Sequence, residues 1–215
     1  MSAPIETMLI DSRQLELAKL QDSITVALNK IDPSIVMHGG TAIWRCYHGN
    51  RFSDDIDVYA SDAQAEKLNK ELAWALSKQN VKMEYPRNIR TVSAFNDTAR
   101  AKIEAMGPIG CIRPVQREYE RADGSKLIIT TLSAEDFILE KIGTYEKRRY
   151  ERDLYDIYHL TSLEPLSIKV KKRLRSFLDG LERPLAGKGG IAGLVYVGIT
   201  PTFETMVELI KKRLE

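Results

Sequence analysis

Apolar residues recur at helical spacing near the start of the chain. In the segment 12–31, leucine and isoleucine residues lie three and four positions apart, which predicts an amphipathic helix. Pro33 ends the pattern, because the residue before a proline is pushed out of the helical region. The same spacing predicts further helices over 42–47 and, after the N-cap candidate Ser61, over 63–78.

Short runs between and after these helices have the pattern of strands. The first run is apolar and ends just before His38, and the next alternates charged with apolar residues. The sequence Ala122-Asp123-Gly124 is a turn signal that predicts a hairpin of the last two strands. The predicted strands are 35–37, 55–60, 81–86, 91–95, 100–106, 115–119 and 126–132.

From Ser133 onwards the pattern is helical. Ser133 and Asp136 resemble a capping box, and a long charged helix is predicted from there to about Leu160, with Gly143 as the place where it would be interrupted. Two more helices are predicted, separated by a Gly/Pro-rich stretch, and they cover 166–181 and 202–214.

Length and composition fit a globular protein of two domains. The chain has 215 residues, 43% hydrophobic and 29% charged, with a formal net charge of +2. We predict an α/β (α+β) domain over residues 1–131 and a helical domain over 132–215. No apolar run approaches the roughly 20 residues of a membrane helix, and the start lacks a signal-peptide pattern, so we expect a cytoplasmic protein without a membrane partner. Cys46 and Cys111 show neither a disulfide framework nor a zinc-binding spacing.

A glycine-rich turn follows the first predicted strand. Gly39-Gly40-Thr41 stands directly before a predicted helix. Glycines let backbone N–H groups approach an anion, and a helix N-terminus favours phosphate. Alone, the turn is weak evidence, because simple turns use the same residues.

Two aspartates follow on a predicted strand. Asp55 and Asp57 share one face of it, because alternate side chains of a strand point the same way. Like charges side by side are costly without a cation between them, and hard oxygen ligands suit Mg²⁺. An exposed edge strand with solvated carboxylates is the alternative. Glu104 is the preferred third carboxylate of a two-metal arrangement, and Glu84 is its rival.

These residues resemble a known family. Gly39-Gly40-Thr41 followed by the run 51–57 resembles the signature of polymerase-β-type nucleotidyltransferases and, more narrowly, of AbiEii-type toxins, the nucleotidyltransferase-like half of type IV toxin–antitoxin systems. The run 140–157 resembles that family's Lys…Arg…Arg-Asp-x-x-Asp-Leu helix pattern. The resemblance covers roughly residues 34–160.

The resemblance implies a polymerase-β-like nucleotidyltransferase domain with a mixed sheet, followed by a C-terminal helical bundle. It implies that Asp55, Asp57 and Glu104 bind Mg²⁺ or Mn²⁺ and act in catalysis together with Lys141. The nucleotide-binding residues that it implies are Gly39, Gly40, Thr41, Ser53, Lys141, Arg148, Arg152 and Asp153.

The second motif has a helical spacing of its own. Its polar members recur at intervals of three and four, so on a continuous helix they would share one face. These residues are Lys141, Tyr145, Arg148, Arg152 and Asp156. If that face closes over the first domain, Lys141 can reach a triphosphate. The alternative is a solvated helix with i,i+4 ion pairs such as Arg149 with Asp153.

Together the motifs predict a Mg²⁺-dependent nucleotidyltransferase that moves a nucleoside monophosphate from an NTP to an acceptor hydroxyl. The resemblance implies an RNA acceptor such as tRNA and a cognate antitoxin protein as partner. Three other functions stay open: transfer to a small molecule, NTP binding without turnover, and an interaction protein with a vestigial site. The basic run 169–175 either docks an RNA backbone or is a solvated helix face.

Overall fold

In a computed structural model of the chain, residues 3–85, 90–107, 113–187 and 189–215 are described. They divide into two compact units. The first contains the described residues up to His48 together with Phe52–Leu132, and the second contains Gly49–Arg51 and Ser133–Glu215. Cys111 and the end of the run 81–86 lie outside the described residues.

The helices and strands follow one another as α1 (Ile5–Met8), α2 (Ser12–Ile31), β1 (Val36–His38), α3 (Gly39–Cys46), β2 (Asp55–Tyr59), α4 (Asp62–Ser77), β3 (Lys82–Glu84), β4 (Thr91–Phe95), β5 (Arg100–Met106), β6 (Val115–Glu120), β7 (Lys126–Thr131), α5 (Ala134–Arg148), α6 (Glu151–Leu160), α7 (Ile168–Asp179) and α8 (Phe203–Lys212). Each predicted strand is present, and each predicted helix before Ser133 is confirmed to within a few residues.

The first unit is built on one mixed sheet. Its seven strands lie in the order β3-β4-β5-β2-β1-β7-β6. β2 runs parallel to β5, β1 runs parallel to β7, and the other neighbours are antiparallel. The hairpin of β6 and β7 turns at Gly124, whose φ of 81° is accessible to glycine without strain, as the turn signal predicts.

The two faces of β2 and β5 differ in polarity. Ile56, Val58 and Ile103 are buried on one face, whereas the charged residues Asp55, Asp57, Lys102 and Glu104 are half-buried on the opposite face. Helices α2 and α4 contact each other, and they contact β5 and β3 respectively. The apolar residues therefore supply the core, and the polar face remains for chemistry.

A buried ion pair fixes α3 on the sheet. Arg45 is fully buried, and its Nη2 lies 3.0 Å from Asp22 Oδ1 and 3.0 Å from the Ala18 carbonyl oxygen. Asp22 also accepts hydrogen bonds from the Tyr119 hydroxyl at 3.1 Å and from the Ala122 amide at 2.8 Å. This network joins α2, α3 and the β6–β7 hairpin, and it holds the helix that begins at the glycine-rich turn.

In the second unit, α5 and α6 are separate helices. α5 begins after Ser133, whose Oγ accepts a hydrogen bond from the Asp136 amide at 3.1 Å, as the capping pattern predicts. It ends at Arg148, because Arg149 adopts the left-handed conformation with a φ of 49°. The predicted continuous helix is therefore wrong, and the break lies at Arg149 rather than at Gly143.

The Gly/Pro-rich stretch after α7 supplies hydrogen bonds at this break. The Leu185 amide donates to the Arg149 carbonyl at 3.0 Å, and the Arg152 amide donates to the Gly189 carbonyl at 3.0 Å. Helix α7 contacts α5, and α8 contacts α6 and α7. Within the described residues, no helix combines the length and the apolar character needed to cross a membrane.

Replacing Asp22 by alanine should lower the free energy of unfolding by about 3–5 kcal/mol, because Arg45 would remain as an uncompensated buried charge. Urea denaturation of the two proteins measures the difference. Glu16→Ala on the same helix is the matched control, since Glu16 pairs with Lys19 at an exposed position and should contribute about 0–1 kcal/mol. Equal stability of Asp22→Ala and Glu16→Ala would contradict the role of the buried pair.

Candidate active site

Four charged side chains form a square on the polar face of β2 and β5. Asp55 lies beside Lys102, and Asp57 lies beside Glu104, in the parallel register of the two strands. Because neighbours in register and alternate residues along a strand share a face, all four side chains lie on the same side of the sheet. We call Asp55, Asp57 and Glu104 the carboxylate patch.

Lys102 lies among these carboxylates. Its Nζ is 3.0 Å from Glu104 Oε1 and 3.5 Å from Asp55 Oδ2. Partial burial works against its charged form, but the hydrogen bond to Glu104 and the charge of Asp55 outweigh burial and raise the pKa of Lys102. The ammonium group is therefore held as the counter-charge of the patch.

Burial and neighbouring negative charge both act on Asp55. Burial raises the pKa of Asp55, and repulsion from Asp54 and Glu104 raises it further, although Lys102 lowers it. The folded protein thus disfavours a charged Asp55 relative to a solvated aspartate. A divalent cation near the carboxylate would reverse that preference.

Gly39 lies against Asp57 and requires the absence of a side chain. Its φ is +73°, and a Cβ at this position would stand 2.0 Å from Asp57 Oδ2. Because α3 begins at Gly39, the backbone N–H groups of its first turn lie at the end of β1, beside Asp57. Such a helix N-terminus is suited to phosphate.

Thr41 and Ser53 tie the turn to the start of β2. The buried Thr41 hydroxyl donates to the Asp55 carbonyl at 2.5 Å, and the Ser53 carbonyl accepts from Gln21 Nε2 at 2.9 Å. Thr41 is fully buried and Ser53 nearly so. Both residues thus lie in the packed interior of the first unit, where the Thr41 hydroxyl holds the backbone of Asp55.

Glu84, the rival third carboxylate, lies elsewhere on the sheet. It belongs to β3, at the sheet edge, and forms an ion pair with Arg100. Glu104, by contrast, is the register partner of Asp57.

The second unit contains a buried charge cluster. Lys141 Nζ lies 2.8 Å from Asp156 Oδ2 and 3.4 Å from Asp153 Oδ1. Arg51 forms two hydrogen bonds of 2.6 Å to Asp156, and Arg148 forms two of 2.7 and 2.8 Å to Asp153. We call these five residues the cationic cluster, since three cations face two carboxylates.

Burial and charge act in opposite directions on Asp156. Burial disfavours its carboxylate, but Arg51 and Lys141 outweigh burial and lower its pKa. Lys141, Asp153 and Asp156 are almost inaccessible, whereas the Arg148 side chain is 39% exposed. Arg148 is therefore the cation of the cluster with the most access to a ligand.

Arg152 lies next to this cluster. Its guanidinium and that of Arg148 lie over the Tyr150 ring, at 5.4 and 4.8 Å from the ring centre. The five residues predicted to share one helix face are thus divided between two helices, with Lys141, Tyr145 and Arg148 on α5 and Arg152 and Asp156 on α6. The Tyr145 ring is buried and packs edge-on against Phe177.

Two residues of these sites were missed in the sequence. Lys102 precedes Glu104 by two positions, so strand alternation could have placed it on the same face. Arg51 lies inside the first motif, but its side chain belongs to the second unit, and no local spacing indicates that.

The chemistry of the carboxylate patch fits a divalent metal. Three carboxylates offer the hard oxygen donors that Mg²⁺ or Mn²⁺ takes, and only a glycine at position 39 leaves room for Asp57. As the side chains stand in the described part of the chain, no three His, Cys, Asp or Glu residues converge as a metal site, and Lys102 lies between two of the three carboxylates.

The chain is similar to known proteins in its sequence pattern and in its fold. The family model described as nucleotidyl transferase AbiEii toxin, type IV TA system, matches residues 25–189. The crystal structure of JHP933 from Helicobacter pylori aligns with a TM-score of 0.59 at 18% identity, over 96% of this chain and 95% of that one. A presumed nucleotidyltransferase from H. pylori aligns with a TM-score of 0.57 at 18% identity, over 95% and 97%. At this identity the structures establish the fold, and comparison with curated proteins gives no match.

Replacing Gly39 by alanine should displace Asp57 and strain the backbone, at a cost of roughly 1–3 kcal/mol in stability. Binding of a manganese–nucleotide complex, measured by calorimetry, should weaken by about tenfold or more, because the Asp57 carboxylate that binds the metal is moved from its position. Gly143→Ala is the matched control, because a Cβ there meets nothing within 4 Å. That helical substitution should raise stability by about 0.5–1 kcal/mol and leave binding unchanged. Unchanged stability and binding in Gly39→Ala would contradict the close approach.

Proposed function

The chain belongs to the AbiEii nucleotidyl transferase toxin family of type IV toxin–antitoxin systems, and we propose that it transfers a nucleoside monophosphate from an NTP to a hydroxyl group of RNA. As a member of this family the chain is a nucleotidyltransferase. Its fold is similar to that of its structural neighbours. The metal, the acceptor and the role of each residue are the proposed parts.

The observation that carries the proposal is the carboxylate patch beside a glycine-dependent helix start. Asp55 and Asp57 lie on one strand, Glu104 on its parallel neighbour, and Gly39 is fitted against Asp57. Structural carboxylates of an ordinary sheet need no such crowding, which adds to the effect of burial in raising the pKa of Asp55. Crowded acids next to an anion-binding helix terminus are the requirement of metal-dependent nucleotide chemistry.

Asp55, Asp57 and Glu104 would hold Mg²⁺ or Mn²⁺. The metal would supply Lewis-acid stabilisation of the α-phosphate and lower the pKa of the acceptor hydroxyl. The acceptor oxygen then forms a bond to the α-phosphorus, the bond to the β-phosphate oxygen breaks, and pyrophosphate leaves. A carboxylate of the same patch or solvent accepts the hydroxyl proton. The protein contributes mainly positioning and electrostatics.

The phosphates would bind to backbone groups of the first unit. The amides of Gly39 and Gly40 in the first turn of α3 are the proposed donors. Thr41 and Ser53, whose polar groups are engaged within the unit, would act by holding that turn in place.

The cationic cluster would contribute the charge of the second unit. With Arg51, Lys141 and Arg148 against Asp153 and Asp156, it carries one positive charge in excess, which favours an anionic ligand. Lys141 and Asp153 would fix the geometry, while Arg148 and Arg152 would contact phosphate. Lys141 is proposed as the residue on which the whole cluster depends.

An RNA acceptor is supported by the charge of α7. Lys169, Lys171 and Lys172 lie on this helix and are exposed or half-exposed, and clustered cations attract a phosphate backbone. Two further cations of the run are engaged internally, since Arg173 pairs with Glu146 and Arg175 donates to the Leu214 carbonyl. An antitoxin is proposed as the protein partner, in keeping with the family.

Incubation of the full chain with Mg²⁺, each α-³²P-labelled NTP and total RNA should place label in an RNA band on a denaturing gel. Asp55→Asn should lose this label by at least about a hundredfold, because a metal ligand is removed. The variant should stay folded, since the raised pKa of Asp55 means that its charge adds nothing to stability.

Glu84→Gln is the matched control, because Glu84 lies on the same sheet but outside the patch, and it should label RNA normally. Label that persists in Asp55→Asn would contradict the assignment of the patch. NTP binding without labelled RNA would favour a small-molecule acceptor or a binding module, and absence of NTP binding would contradict the nucleotide site.

A further inference from the structure

We propose that Lys102 is a built-in counter-cation of the carboxylate patch, and that its ammonium group competes with the divalent metal for Asp55 and Glu104. Lys102 would then set the metal concentration at which the site fills. This inference rests on the proposed function, because it takes the patch as the metal ligands.

The first step is the position of Lys102. It faces Asp55 across the β2–β5 register and precedes Glu104 by two residues on its own strand. Strand alternation therefore places it on the face of the patch. Its Nζ lies 3.0 Å from Glu104 Oε1 and 3.5 Å from Asp55 Oδ2.

The second step is the charge balance. Asp55, Asp57 and Glu104 bring three negative charges, and Lys102 brings one positive charge against them. With the lysine in place, a divalent metal is attracted by a patch that is one charge less negative. Removing the ammonium group should therefore strengthen the attraction for a cation in this half-buried environment.

The third step is competition for the same atoms. Lys102 contacts Asp55 Oδ2 and Glu104 Oε1, and carboxylate oxygens are the donors that a divalent metal needs. A lysine ammonium group is charged at neutral pH, so both contacts pair opposite charges. The ammonium group must leave at least one of these oxygens when a metal binds to them.

A purely structural role gives the opposite expectation. If the only role of Lys102 is to offset the repulsion between the carboxylates, its removal should let them move apart and should weaken metal binding. The sign of the change in affinity therefore separates the two roles.

The test is titration of the nucleotide-free full chain with Mn²⁺, followed by electron paramagnetic resonance of the unbound ion. Lys102→Met should bind Mn²⁺ at least about tenfold more tightly than the wild type, because a full charge is removed at contact distance. Lys102→Arg keeps the charge and should bind no more tightly than the wild type. Lys82→Met, a lysine of the edge strand β3, should leave the affinity unchanged.

Equal or weaker Mn²⁺ binding in Lys102→Met overturns the competition. If that variant needs metal to fold, thermal unfolding at increasing Mn²⁺ reports the same affinity through linkage, and an absence of stabilisation by Mn²⁺ also overturns the proposal. The proposed function is tested separately by Asp57→Asn. If this variant binds Mn²⁺ as tightly as the wild type does, the patch is not the metal site.

Discussion

The crowding of like charges on two parallel strands is the constraint that the surrounding residues of the first unit have to meet. Asp55, Asp57 and Glu104 share one face because β2 and β5 run parallel in a register that sets Asp57 beside Glu104. Such a patch persists only with positive charge nearby and rigid support. Lys102 supplies the charge, and α3, anchored by the buried Arg45–Asp22 pair, supplies part of the support.

The second unit also brings several charged side chains together, but there the cations outnumber the carboxylates. Two buried carboxylates, Asp153 and Asp156, face three cations, and the least buried of these is Arg148. Burying the carboxylates is tolerable because each is held by two cations. Arg51 joins the cluster as part of the segment Gly49–Arg51, which belongs to the second unit although the residues that follow it in the chain belong to the first.

Much of the fold follows from local patterns, and the parts that do not are tertiary. Alternation placed Asp55 and Asp57 on one face, and capping residues located the starts of α4 and α5. Strand register has no local signal, so the preference for Glu104 over Glu84 rested on chain order, and Lys102 was missed. The helix break at Arg149 was also missed, because nothing marks an arginine for the left-handed region, and its hydrogen bonds come from the distant Leu185 and Gly189 segment.

The most direct test is a crystal structure of the chain grown with Mn²⁺ and a non-hydrolysable NTP, with the metal located by its anomalous scattering. The account predicts a peak bound by oxygens of Asp55, Asp57 and Glu104, with the Lys102 ammonium moved away from at least one of the carboxylates that it contacts. A peak at Glu84, or no peak on this face while Lys102 still contacts Asp55 and Glu104, would contradict it.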